Sequence, residues 1–240
     1  KGMHIYDDKN LNFKESFEFY PAWEYHYFDG IVYAYSDSLI RRYDIHSNTY
    51  LDDITIPNVF DEYAFDENLG VFETGNGKAM VYDLVEDIKL DEILIPQDID
   101  RLELSKGNLA IISSSTEISL YYKNVFNNDS IRKIEFGTEL AECQGSFNGN
   151  LGFLNGKLVL RCGNNIYLSS DNDLITENDY LFNVGFNWSD IAISDVSEQI
   201  YLYTDDTMSV IRVPESEIIS DVSFNFISEY NSIYDLITLD

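Results

Sequence analysis

The sequence predicts an all-β fold: a β-propeller built from four-stranded antiparallel blades. Three observations lead there. Short runs rich in Val, Ile, Tyr and Phe recur along the chain, bounded by Gly, Asn, Asp and Ser, as strands and their turns do. A unit near 39 residues repeats: Tyr43-Asp44 returns as Tyr82-Asp83, Pro57 returns as Pro96, and Tyr121 follows Tyr82 at the same interval. No stretch sustains a 3.6-residue apolar period between helix caps. A unit of about 40 residues with four strands is the size of a propeller blade, and one such sheet must stack on neighbours to cover its faces.

The elements follow in order. Residues 4–20 read as the third and fourth strands of a partial unit, 1–21. The next unit, 22–57, carries WEYHYFDG, IVYAYS, LIRRYDI and YLDDITIP. Unit 58–96 repeats the pattern with FDEYAFDEN, LGVFET, AMVYDLV and KLDEILIP, and unit 97–136 with IDRLELSKG, LAIISS, ISLYYK and IRKIEF. Two units are more diverged. Unit 137–183 contains KLVLRCG, NNIYLSS and LITENDYLF, with Asn155-Gly156 as a hairpin signal. Unit 184–228 contains WSDIAISD, QIYLYTD, SVIRVPE and DVSFNFIS. Residues 229–240 read as a lone first strand. A C-terminal first strand and N-terminal third and fourth strands share one blade, which gives six blades; seven blades or an incomplete ring are the alternatives.

The stretch IVYAYSDSLIRRYDIHSNTYLDDITIP resembles a blade of the YVTN-type bacterial propellers, a signature shared with quinoprotein-like repeats. It has a strand, a small polar turn, a strand ending in a hydrophobic-Asp pair, a second turn, and a strand ending in TIP. The Gly-His and Trp-Asp pairs of WD40 repeats are absent. The resemblance implies a fold and no particular activity.

Composition narrows the function classes. Among 240 residues, 43 acidic against 15 basic side chains give a formal charge of −28. That balance argues against nucleic acid and against anionic membrane surfaces, both of which attract Lys and Arg. It favours solubility and cationic partners. No run of about 18 apolar residues is present to form a membrane-spanning helix. No basic segment followed by an apolar one marks a signal peptide. The chain begins at Lys1, as expected for a processed piece of something longer.

Candidate chemistry is sparse. His4, His26 and His46 lack metal-ligand spacing and read as ordinary sheet and turn residues. No nucleophile elbow, phosphate loop or dinucleotide fingerprint occurs. Calcium needs several oxygens in one loop. The nearest match is Asp171-Asn172-Asp173, continuing to Glu177 and Asp179, without the glycine of an EF-hand. No other cofactor is implied. Cys143 and Cys162 fall at the same end of a blade, which leaves both a disulfide and two free thiols open.

The loops say more. Turns from second to third strands share one end with the connections into the next blade, and with the first strand innermost these ring the channel mouth. Trp23, Phe60, Ile99 and Trp188 stand just before first strands, positioned either to pack between blades or to line the mouth for a ligand. Around them come Asp37, Asn76, Asp98, Ser114, Gln144, Asn164 and Asp205. The expected function is a non-catalytic binding or scaffold module recognising a protein, peptide or glycan there. The alternatives are a propeller-type hydrolase or lyase using acids and calcium, and a purely structural domain. Strong acidity and the absent start favour an exported, surface or periplasmic protein over an intracellular scaffold.

Overall fold

The computed structural model describes residues 2–6, 13–18, 24–36, 38–57, 62–114, 119–127, 130–143, 151–169, 174–183, 190–194, 198–203, 207–212 and 217–223. Strands β1 (Gly2–Tyr6) and β2 (Phe13–Glu18) form an antiparallel hairpin, here called blade 1. Blade 2 comprises β3 (Glu24–Phe28), β4 (Ile31–Ser36), β5 (Leu39–Asp44) and an outer strand in two pieces, β6 (Thr49–Tyr50) and β7 (Ile54–Thr55), both paired with β5. Blade 3 runs β8 (Tyr63–Asp66), β9 (Leu69–Glu73), β10 (Lys78–Asp83) and β11 (Ile88–Leu94). Blade 4 runs β12 (Ile99–Ser105), β13 (Asn108–Ser113), β14 (Ser119–Asn124) and β15 (Arg132–Lys133).

The chain then departs from the simple repeat. Strand β16 (Glu135–Phe136) leads into a short 3-10 segment, Thr138–Cys143. Blade 5 follows with β17 (Leu151–Leu154), β18 (Lys157–Cys162) and β19 (Asn165–Leu168). Strand β20 (Leu174–Ile175) turns away and pairs in parallel with β16, so two neighbouring blades are spliced along their outer margin. A 3-10 turn, Glu177–Asp179, brings the chain back as β21 (Tyr180–Asn183) to finish blade 5. Blade 6 has β22 (Asp190–Ser194), β23 (Gln199–Tyr203), β24 (Thr207–Arg212) and β25 (Glu217–Ser223). The described strands thus form five four-strand blades and one hairpin. Three expectations are corrected. IRKIEF and LITENDYLF are each split by the splice, and the outer strand of blade 6 begins earlier than DVSFNFIS. The expected closing strand at 229–240 lies outside the described residues. No described helix is long and apolar enough to cross a membrane.

Packing follows from strand alternation. Successive side chains of a strand point to opposite faces, so a sheet covered on both faces needs apolar residues at every position of its middle strands. Strands β4 and β10 are buried at four consecutive positions and β13 at five. The two faces of β9 and β10 serve different interfaces. Phe72, Met80 and Tyr82 meet Tyr33, Tyr35, Ile40 and Ile54 of blade 2. Val71, Ala79 and Val81 meet Leu102, Leu104, Leu109 and Ile111 of blade 4. The same division continues between blades 4 and 5 through Ile112, Leu120, Leu151 and Leu160, and between blades 5 and 6 through Val159, Ile166, Ile200 and Leu202. First strands are neighbours: β8 lies beside β12, β12 beside β17, and β17 beside β22, which makes them innermost.

The repeated Tyr-Asp pair is a turn device. Asp44 Oδ1 accepts from the backbone N–H groups of His46 and Ser47 at 2.8 and 3.2 Å. Asp83 Oδ1 does the same for Val85 and Glu86 at 2.9 and 3.0 Å, and Asn124 for Phe126. These are Asx turns, in which a short side chain satisfies backbone donors two and three residues on. The tyrosine closes each turn: Tyr43 donates to Asn48, and Tyr82 to Asp87. Both acceptors hold positive φ, 57° and 56°. The opposing hairpin is shaped to match. His46 covers Gly30 and Phe126 covers Gly107, where a Cβ would strike the ring. Their φ values, 80° and 75°, favour glycine in any case.

Cys143 and Cys162 are joined in a disulfide with Cα atoms 5.6 Å apart. It ties the 3-10 segment after blade 4 to the second strand of blade 5, inside the apolar cluster between them. The bond closes a loop across a separation of 19 residues. The chain-entropy model gives such a loop about 3 kcal/mol of stabilisation. Cys162→Ser is therefore expected to lower the unfolding free energy by roughly 2–4 kcal/mol in urea titrations, and reductant to lower it similarly in the wild type.

Burial, the hydrogen bond to Asp87 and that carboxylate's charge together push the Tyr82 phenol up to about 12 from 10.0. The unfolded chain releases this proton first, so the stability it contributes is lost as pH rises from 10 through about 12. Asp87→Asn retains the left-handed turn, as Asn48 does in blade 2, and removes the charge. NMR titration of the Tyr82 ring should then find its pKa moved back toward 10.

Candidate functional site

One end of blades 3 and 4 carries a connected strip of loop backbone. The turn Gly75-Asn76-Gly77 joins β9 to β10, and Ile95 returns to it, donating its N–H to the Gly77 carbonyl at 2.9 Å. Ile95 is buried, and Pro96 and Gln97 then carry the chain outward. The same design occurs in blade 2, where buried Ile56 donates to the Ser38 carbonyl at 2.8 Å just before Pro57. Proline suits the position after this last ladder bond, because it has no N–H to offer a sheet the chain is leaving. From Gln97 the strip passes to blade 4. Ser113 Oγ donates to the Gln97 carbonyl at 2.6 Å, and the Ser114 N–H to the Asp98 carbonyl at 3.0 Å. Ser114 Oγ also donates to Asp100 Oδ1 at 2.9 Å.

Of the expected mouth residues, Asn76 and Asp98 lie in this strip, and both are exposed. Both hold left-handed backbone, with φ of 57° and 53°, a conformation that Asn and Asp tolerate better than most residues. Asn164 occupies the equivalent turn of blade 5 and is half-buried. Beside it the buried Arg161 donates Nε to the Gly163 carbonyl at 2.9 Å, fixing that turn. Trp23, Asp37, Phe60, Gln144, Trp188 and Asp205 lie outside the described residues. Ile99, which shares their pattern with the two tryptophans, packs against the apolar cluster between blades 3 and 4.

Three participants carry no sequence signal here: Gln97, Asp100 and Arg161. Their part is set by which groups they reach, and no local pattern announces that. A fourth feature had a usable signal. Arg101 and Glu103 are two apart on β12 and so share a face; the guanidinium approaches Glu103 Oε1 to 2.7 Å on this innermost strand.

The calcium candidates divide. Asp171 and Asp173 lie outside the described residues. Asp179 holds a turn together. Its buried carboxylate accepts from the Thr176 N–H at 2.8 Å and from Thr176 Oγ at 3.1 Å. Thr176 Oγ accepts in turn from the Asn178 N–H, completing a capping box.

The histidines are structural where they are described. His26, on β3, stacks on Phe65 of β8 at 5.5 Å between ring centroids and lies against Tyr33 at 5.9 Å. Its Nε2 donates to the Glu67 carbonyl at 2.7 Å. His46 covers Gly30 at the other end of blade 2. His4 lies on β1.

No protein-family model matches the chain, and no curated protein sequence matches it. Solved structures do. Hsv2 from Kluyveromyces lactis superposes with a TM-score of 0.56 at 14% identity, over 84% of this chain and 63% of that one. The fold is a β-propeller. A functionally unknown protein from Desulfotomaculum acetoxidans gives the same TM-score and identity over 95% of this chain and 78% of its own. The chain thus spans less than two thirds of the Hsv2 structure. At these identities the likeness carries the propeller architecture and does not extend to the YVTN or quinoprotein type.

Burial holds the His26 pKa below its ordinary 6.5, and the hydrogen bond to Glu67 only partly opposes this. The ring is neutral when folded, while the unfolded chain takes up a proton below 6.5. His26 therefore destabilises the fold progressively as pH falls beneath 6.5. Urea midpoints measured between pH 7 and pH 5 should fall for the wild type and fall less for His26→Phe.

Proposed function

We propose that this chain is a non-catalytic binding propeller that recognises a protein, peptide or glycan at the mouth. The observation that carries the reading is the strip from Gly75 through Asp98 to Ser114. It presents an exposed amide and an exposed carboxylate on backbone already held by hydrogen bonds to two blades. Groups fixed before a ligand arrives spare the ordering cost that weakens association. The formal charge of −28 favours a cationic ligand and speeds its encounter. Trp23 and Trp188, which stand just before first strands in the sequence, are the proposed aromatic anchors. The Cys143–Cys162 bond supports an exported location, because disulfides persist in oxidising compartments.

The test is a screen of a glycan array and a displayed peptide library against the purified protein, with each hit remeasured by calorimetry. Asp98→Asn, Asn76→Asp and Trp23→Ala are expected to change hit affinity at least fivefold while melting temperatures stay within about 2 °C. Hits indifferent to all three substitutions would overturn the mouth as the binding face. Unfolding of Trp23→Ala alone would assign that tryptophan to blade packing and leave the test to Asp98 and Asn76.

A further inference from the structure

A second surface lies on the outer margin of blades 2 and 3, meeting the mouth strip only at its Leu94 end. Outer strands of a propeller leave one row of backbone N–H and C=O groups unpaired, and proteins shorten or interrupt such edges to keep other chains off. Blades 2 and 4 follow that rule. The outer strand of blade 2 is broken between Tyr50 and Ile54, and β15 has two residues. Strand β11, like β25 of blade 6, is not shortened, although it carries one bulge. It runs seven residues from Ile88 to Leu94 and, among the described residues, pairs only with β10.

Three side chains on this edge are apolar and exposed, among the charged Lys89, Asp91 and Glu92: Leu94 is 72% accessible, Ile88 49% and Leu90 45%. Val85, in the preceding turn, is 45% accessible. Blade 2 extends the patch. Arg42 donates Nε to the Asp52 carbonyl at 2.8 Å and Nη1 to the Leu84 carbonyl at 3.4 Å. That one guanidinium brings the Leu51–Asp52 backbone alongside Leu84–Val85, so exposed Leu51 joins the margin.

Charge selects the occupant. Asp52, Asp53, Glu86, Asp87 and Asp91 surround the patch and are exposed. Its two lysines, Lys78 and Lys89, are both engaged by Glu92, at 2.6 and 3.1 Å. A second copy of the chain would bring another formal charge of −28 against these acids. A basic chain meets attraction instead. We propose that the free edge of β11 receives an extended basic segment of a partner protein, in which Lys or Arg alternates with apolar residues. Its backbone continues the sheet, its apolar side chains cover Leu90 and Leu94, and its cations meet the surrounding acids. This is recognition by strand addition, with main-chain bonds giving affinity and alternate side chains giving specificity. The bulge opposite Val81 and Tyr82 leaves Asp91–Leu94 as the stretch in regular register, so that stretch is the template.

The experiment uses fluorescence anisotropy with a labelled ten-residue peptide of alternating Lys and Val. Two controls are the Glu–Val counterpart and a Lys–Val peptide with Pro at two central positions. The Lys–Val peptide is expected to bind at least tenfold more tightly than either control, and to slow deuterium exchange of the β11 amides. Leu90→Lys combined with Asp91→Lys should weaken it at least tenfold. Leu174→Lys, at an exposed position on blade 5, should change it less than twofold. Equal binding of the proline-bearing peptide, or binding unaffected by the double substitution, overturns strand addition. So does concentration-dependent dimerisation in sedimentation that Leu90→Lys abolishes, since a second copy would then be the occupant. The mouth substitution Asp98→Asn should leave this peptide's affinity unchanged, so the two surfaces stand or fall separately.

Discussion

Everything in this molecule depends on covering both faces of each four-stranded sheet. A blade alone has two apolar faces and nothing to put against them. Strand alternation divides the solution residue by residue: Phe72 and Met80 go to one neighbour, Val71 and Val81 to the other. With the middle strands buried at four or five consecutive positions, apolar burial at about 25 cal/mol per Å² makes each interface a large stabilising term. Removing blade 3, 4 or 5 would expose two others. Charge is thereby pushed mostly to the loops and outer margins: among the described acidic side chains only Asp179 is buried, and it is held by Thr176.

The turns repeat because they solve one geometric problem several times. A Tyr-Asp pair ends the third strand, the carboxylate closes an Asx turn, and the phenol reaches the residue five positions on. Where that turn carries a ring over the adjacent hairpin, the hairpin carries glycine, as at Gly30 and Gly107. Blade 3 varies both partners together: Val85 replaces the ring, and Asn68 replaces the glycine and donates to Asp83 at 2.8 Å. Compensation within one chain of this kind marks local packing.

These devices also explain what could be read from the sequence. The interval near 39 residues was legible through Tyr-Asp and Ile-Pro, because both pairs have fixed jobs at strand ends. Strand boundaries in blades 2 and 3 followed closely except in YLDDITIP, read as one strand and formed as two short pieces. Legibility failed after residue 130, where the chain solves a different problem. The segments 135–136 and 174–175 pair with each other across two blades, and parallel pairing leaves no short turn to betray it. The disulfide was undecidable for the same reason: it joins points brought together only by packing. At the mouth, the positions of Asn76 and Asp98 were readable from turn chemistry, while the hydrogen bonds of Gln97, Ser113 and Ser114 that hold the strip were not.

The junction of blades 4 and 5 carries three ties of different chemistry: an apolar cluster, a covalent bond between Cys143 and Cys162, and the parallel splice at Glu135–Phe136. The other blade junctions described combine an apolar cluster with hydrogen bonds, such as His26 to Glu67 and Asn155 to Glu198, and have neither a covalent bond nor a splice. A chain pulled from its ends would therefore peel blade by blade from both sides and stall here. The residues near the middle of the sequence form a mechanical stop, and the portion of the ring on either side can breathe without the whole coming apart.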